Sequence, residues 1–141
     1  MKRNSIGAVL LAALSFMLTT GARAQSMEEA DVPFAFHAGH TELPAGHYLI
    51  QEDHVRHLIK ISNLQTGALV VLSVQQSSAG GDKRVLRFHS VGGQRYLREI
   101  CGIQDALNLT ISPTKMEKEA SSLRLADHSS PANEQVLVAL K

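Results

Sequence analysis

Apolar residues along this chain recur at short range and alternate with polar ones, a pattern that predicts strands. Leu107, Leu109 and Ile111 alternate with Asn108, Thr110 and Ser112, so one row faces a core and the other faces water. Ile59 and Ile61 share a face in the same way within a strand over 57–62. Residues 32–37 predict a first strand, with Pro33 at its start or on an edge. The turn Leu43-Pro44-Ala45-Gly46 follows, and residues 47–51 return from it. Glu52-Asp53-His54 and Leu64-Gln65-Thr66-Gly67 punctuate the next strands. Residues 68–74 form a continuous apolar run, as expected of a central strand covered on both faces. After a loop over 77–82, strands over 84–90 and 94–103 flank Gly92-Gly93, a two-residue hairpin signal.

The remainder is less regular. Ser112 followed by Pro113 predicts a helix N-cap with Pro at the first helical position, and a short helix to about Ala120. A brief strand over 123–125, a loop over 129–133 and a closing strand over 136–140 complete the pattern. Many short strands with one short helix predict a mainly β fold: a single antiparallel sandwich or partly closed barrel, forming one domain over 32–141.

The amino end has a different composition. Lys2 and Arg3 precede an uncharged apolar stretch over 6–18, and Ala22-Arg23-Ala24 closes it as an A-x-A cleavage signal. This predicts a signal peptide over 1–24, cut between Ala24 and Gln25. The apolar stretch is well short of the roughly 20 residues that span a bilayer, and no later segment offers a span. Residues 25–31, polar and acidic, predict a flexible lead-in. The expected location is therefore exported, in the periplasm or outside the cell.

The whole chain carries 14 basic and 13 acidic residues, and losing Lys2, Arg3 and Arg23 tips it slightly acidic, which argues against nucleic acid as a partner. Without Trp and with few aromatics, it offers no stacking platform for sugars. The single cysteine, Cys101, lies in an apolar stretch and reads as a buried free thiol. His37, His40, His47, His54 and His57 cluster in sequence and raise a metal hypothesis, but their spacing is not that of helical metal-binding pairs. Ser112-Pro113-Thr114-Lys115 fits S-x-x-K, yet the companion S-D-N and K-T-G motifs are absent. No motif requires a cofactor.

One spatial argument points to a ligand. A two-residue loop at Gly92-Gly93 pairs Val91 with Gln94, His89 with Tyr96, and Arg87 with Arg98. Opposed guanidiniums repel. A carboxylate or phosphate held by Arg87, His89 and Arg98 would relieve them, as would an acidic neighbour. The same register puts Glu99 on the face of Leu86, Phe88 and Leu97, and a one-residue shift would separate the arginines.

Val32-Pro33-Phe34-Ala35-Phe36 and Leu43-Pro44-Ala45-Gly46-His47-Tyr48 resemble the V-P-F-x-F and L-P-A-G-x-Y motifs of an uncharacterised family of small secreted soil-bacterial proteins. The resemblance runs from about Val32 to Ala120 through turn and core residues, and implies a bacterial exported β-domain without assigning an activity. Together these features predict a non-catalytic binding or interaction module for a protein or a small anionic ligand. The alternatives are a small metal-dependent hydrolase using the histidines and a structural envelope protein.

Overall fold

In the protein's structure, a computed structural model, the period-two stretches form strands that group into two sheets. Residues 27–77, 83–103, 107–126 and 134–141 are described. The expected signal peptide over 1–24, its cleavage site at Ala24 and Gln25, most of the loop over 77–82 and the loop over 129–133 lie outside them.

In chain order the strands are β1 (Met27–Val32), β2 (Phe36–Ala38), β3 (Thr41–Leu43), β4 (Gly46–Asp53), β5 (Leu58–Asn63), β6 (Leu69–Ser73), β7 (Gln75–Ser77), β8 (Val85–Val91), β9 (Gln94–Ile103) and β10 (Leu107–Thr110). The helix α1 (Lys115–Ala126) and β11 (Glu134–Ala139) complete the order. The first sheet runs β1-β4-β5-β6, antiparallel throughout. The second runs β11-β8-β9-β10-β7, with the β2–β3 hairpin joined to β9 by a parallel bridge between His37 and Tyr96.

The sheets meet on both flanks. Ala30 of β1 bridges Leu140, and the Lys141 N–H donates to the Glu29 carbonyl. On the other flank the chain passes from β6 into β7 through Val74, whose N–H donates to the His57 carbonyl. The result is mainly β, a curled sheet forming a half-barrel with a second sheet and, among the described residues, one helix, as the sequence pattern predicts. Inward residues of both sheets share one core: Tyr48, Ile50, Ile59 and Ile61 from the first, Leu86, Phe88, Leu97 and Ile100 from the second. Phe34, Phe88, Phe36 and Tyr48 form a chain of edge-to-face rings at 5.2–5.3 Å, a geometry that sets positive ring edges against negative faces.

Four expectations need correction. From Met27 on, the lead-in expected over 25–31 is strand β1, with Glu28, Ala30 and Val32 turned inward. The first strand expected over 32–37 is divided: Val32 ends β1, the chain crosses over at 33–35 and Phe36 opens β2. Pro33, which has no N–H for a ladder, falls in that crossing. The run over 68–74 is not a central strand. Its core, β6, ends the first sheet, with Leu69 and Val71 53% and 54% exposed. An uninterrupted apolar sequence satisfies a strand whether one face or both are covered, so composition alone does not locate it. The helix begins after Thr114, whose Oγ1 accepts the Glu117 N–H at 3.2 Å, and it extends over the brief strand expected at 123–125. Thr114 and Glu117 have the spacing of a capping box, which places the cap two residues beyond Ser112.

Candidate functional site

The β8–β9 hairpin starts in the expected register. Gly92 and Gly93 take φ of 63° and 80°, as a tight two-residue turn requires, and Val91 pairs with Gln94 and His89 with Tyr96. The register then shifts between Phe88 and Arg87. Phe88 pairs with Leu97, but Arg87 pairs with Glu99, leaving Arg98 as an additional residue on β9.

This bulge overturns the expected opposition of Arg87 and Arg98. In a straight ladder Glu99 would sit among Leu86, Phe88 and Leu97, where an unpaired carboxylate is costly to bury. Absorbing one residue moves Glu99 to the Arg87 face and brings Ile100, fully buried, opposite Leu86. Arg87 Nη1 then lies 2.5 Å from Glu99 Oε2. Arg98 Nε lies 3.6 Å from Glu117 Oε1 on α1, although one of its Nη atoms stays buried without a partner among the described residues. His89 shares the Arg87 face through the alternation of β8. Each of the two predicted ligand arginines thus has its own carboxylate, Arg87 that of Glu99 and Arg98 that of Glu117.

Beside these pairs, His37, Tyr96, His89 and Gln135 form a row across β2, β9, β8 and β11. Tyr96 is buried, stacks on His37 at 5.0 Å and donates its hydroxyl proton to Gln94 Oε1 at 2.7 Å. Burial, with the Glu117 charge adding to it, raises the phenol pKa and keeps it protonated. Burial likewise pushes the Cys101 thiol up, the nearby Glu99 acting in the same direction. Neither group is an activated nucleophile.

The five clustered histidines fall on different elements, apart from His54 and His57, which share the β4–β5 turn. His37 is in the ring stack, His40 in the exposed β2–β3 turn and His47 on β4. His54 Nδ1 is 2.9 Å from Glu52 Oε1, and His57 turns the chain with a φ of 52°. Among the described residues no group of three or more His, Cys, Asp or Glu is arranged to hold a metal ion. His47 has a structural partnership that sequence reading does not reveal. Its Nδ1 lies 2.5 Å from Asp31 Oδ1, its Nε2 3.3 Å from Glu29 Oε2, and Lys141 pairs with Asp31 from the other side. The hydrogen bond to Asp31 raises the His47 pKa, and bonds from Lys141 and then His47 lower that of Asp31. The three elements meet only through sheet pairing and chain closure, so no local motif announces them.

The remaining feature is a backbone edge. The Asn63 N–H donates to the Ala68 carbonyl and the Val74 N–H to the His57 carbonyl. Antiparallel ladders alternate, so residues 68, 70, 72 and 74 turn their backbone polar groups toward β5. Leu69, Val71 and Ser73 therefore turn theirs outward, away from the sheet. The chain matches no protein-family model, no curated protein and no solved structure.

Proposed function

We propose that this chain is an exported, non-catalytic β-domain serving as a binding or interaction module in the bacterial periplasm or outside the cell. In this reading β6 is its binding edge, and a partner protein docks by adding a strand. The observation that carries the reading is the lack of protection on that edge among the described residues. β1 bears Glu28, Glu29 and Asp31; β3 bears Glu42 and precedes Pro44; β7 has three residues; β11 begins at Glu134 and its sheet flank is joined to β1. Charges, proline, shortness and cover are the usual guards against strand addition. β6, with sequence Leu-Val-Val-Leu-Ser, has no charge and no proline. Export rests on the basic, apolar and A-x-A segments ending at Ala24, and the V-P-F-x-F and L-P-A-G-x-Y resemblance supports a bacterial exported domain. A protein partner is favoured over a small anion because Arg87 and Arg98 are already paired with carboxylates.

The test is a photo-crosslinking residue at position 71 of the full chain, expressed in a bacterial host and recovered from the exported fraction. Adducts at 71, absent when the same probe replaces Gln51 on the inner strand β4, are expected. A clean chain at both positions, or one retained in the cytoplasm, would overturn the reading.

A further inference from the structure

We infer that the strand added at β6 is β6 of a second copy of this chain, paired antiparallel about a two-fold axis at Val71, joining two four-stranded sheets into one of eight. The inference rests on β6 being the binding edge and names its occupant.

Three features of the edge select a second copy. The first is register. Leu69, Val71 and Ser73 are the β6 residues whose backbone groups point outward, and they are symmetric about Val71. A two-fold there pairs Val71 with its copy and Leu69 with the copy's Ser73, so all three outward N–H groups and all three carbonyls of each copy find partners. Shifting the axis along the strand leaves outward groups unmatched.

The second is charge. The strand is neutral, and no like charges meet across the new pairing. The row through the axis runs Gln51, Lys60, Val71 and then the same residues in reverse. Three interstrand steps separate the two Lys60 positions, about 14 Å at the usual strand spacing and beyond the screening length at physiological salt.

The third is side-chain placement. Leu69 and Val71 project from the outer face, each about half exposed. In the pair they form one apolar strip with their copies at the centre of the eight-stranded sheet, flanked by Leu49 and Leu58, which are already partly covered. A β-branched pair at the axis is a favourable cross-strand contact.

The test is the mass of the purified full chain in solution by light scattering across the micromolar range. Twice the chain mass is expected, falling to the chain mass in Val71→Lys, which sets two ammoniums directly opposite each other. Circular dichroism establishes that this variant is folded. Val71→Cys supplies an independent readout, since an opposed antiparallel pair lies within disulfide reach. Under mild oxidation it is expected to give a covalent dimer, whereas Lys60→Cys, three strands from its copy, is not; the buried Cys101 is left in place in both. A monomeric chain whose position-71 cysteine does not cross-link overturns the inference, as does a dimer that is indifferent to both changes at 71. If the chain is monomeric yet position 71 cross-links a different protein in the exported fraction, the second copy is ruled out and the binding edge stands. If it is monomeric and position 71 cross-links nothing, both fall.

Discussion

Replacing Glu99 by Gln tests the bulge on which the site geometry depends, because the two possible registers give opposite signs. In the observed register Glu99 neutralises Arg87 at 2.5 Å, with side-chain exposures of 33% for the arginine and 27% for the glutamate. Exposed pairs contribute about 0–1 kcal/mol, while stripping one partner from a buried pair costs about 3–5 kcal/mol. A pair one-third exposed falls between, so Glu99→Gln should cost about 2 kcal/mol. At about 3–5 °C per kcal/mol for a domain of this size, the melting temperature should fall by about 6–10 °C. In a straight register Glu99 would lie in the apolar layer of Leu86, Phe88 and Leu97, and neutralising it would stabilise the fold. The assay is thermal and urea unfolding of Glu99→Gln, Arg87→Gln and the double variant, with an expected coupling of about 1–2 kcal/mol. Inorganic phosphate should then stabilise Glu99→Gln more than the parent chain, since Arg87 loses its carboxylate. A neutral or stabilising Glu99→Gln, or a coupling of zero, would refute the bulged register and restore the anion site expected from sequence.

The His47 cluster gives a pH dependence of definite sign. The fold raises the His47 pKa above 6.5, so its contribution is complete below that pH and is lost as pH climbs through the raised value. Asp31 is lowered below 3.8, so its contribution is present above that pH and is lost on acidification. Urea unfolding across this range should show the alkaline loss in the parent chain and not in His47→Asn, and Asp31→Asn should move the His47 NMR titration midpoint down. Thr114→Ala should cost about 1 kcal/mol and loosen α1 in hydrogen exchange, as loss of a helix N-cap does. Gly102 holds a φ of 74° with the Lys83 carbonyl 2.9 Å from where a Cβ would sit, so Gly102→Ala should cost about 2 kcal/mol or more in the same unfolding assay.

Local signals account for what the sequence makes legible. The alternation around Ile59 and Ile61 marks β5, and Gly92-Gly93 locates a hairpin whose first rungs are as expected. The first sign of the bulge is also present in the sequence: a straight ladder buries Glu99, and that conflict is the physical reason the register shifts. What was not legible depends on distant partners. β1 looks like a polar tail because Glu28, Glu29 and Asp31 dominate its composition; its strand character comes from pairing with β4, and Arg84 meets the inward-facing Glu28 from β8's approach. β6 looks central because its residues are uniformly apolar, and only the strand order places it at an edge. His37 and Tyr96 are 59 positions apart and meet through a single parallel bridge, which no pattern in either segment encodes.

The two flanks of the first sheet differ in a way that bears on binding. At β1, Ala30 bridges Leu140, the Lys141 N–H reaches the Glu29 carbonyl, and the Lys141 ammonium pairs with Asp31, which His47 also holds. A strand arriving there would have to displace backbone bonds and an ion-pair cluster before making any of its own. At β6 the chain passes to the second sheet through Val74, whose N–H is directed back toward β5 rather than outward. Among the described residues, the outward groups of Leu69, Val71 and Ser73 can gain hydrogen bonds there without loss of any already made. Each such bond contributes only about 0.5–1.5 kcal/mol net, so association at this edge depends on several forming together, with Leu69 and Val71 removed from water in the same step. Among the described residues, the closed β1 flank leaves β6 as the edge of the first sheet with outward backbone groups to offer. The tie at Lys141 and Asp31 predicts the converse: cutting back the C-terminus to remove Leu140 and Lys141 should open the β1 flank as well. Such a chain, given two open edges in place of one, should pass from a closed dimer to open-ended association, and a truncated chain that stays dimeric would count against this account of the two flanks.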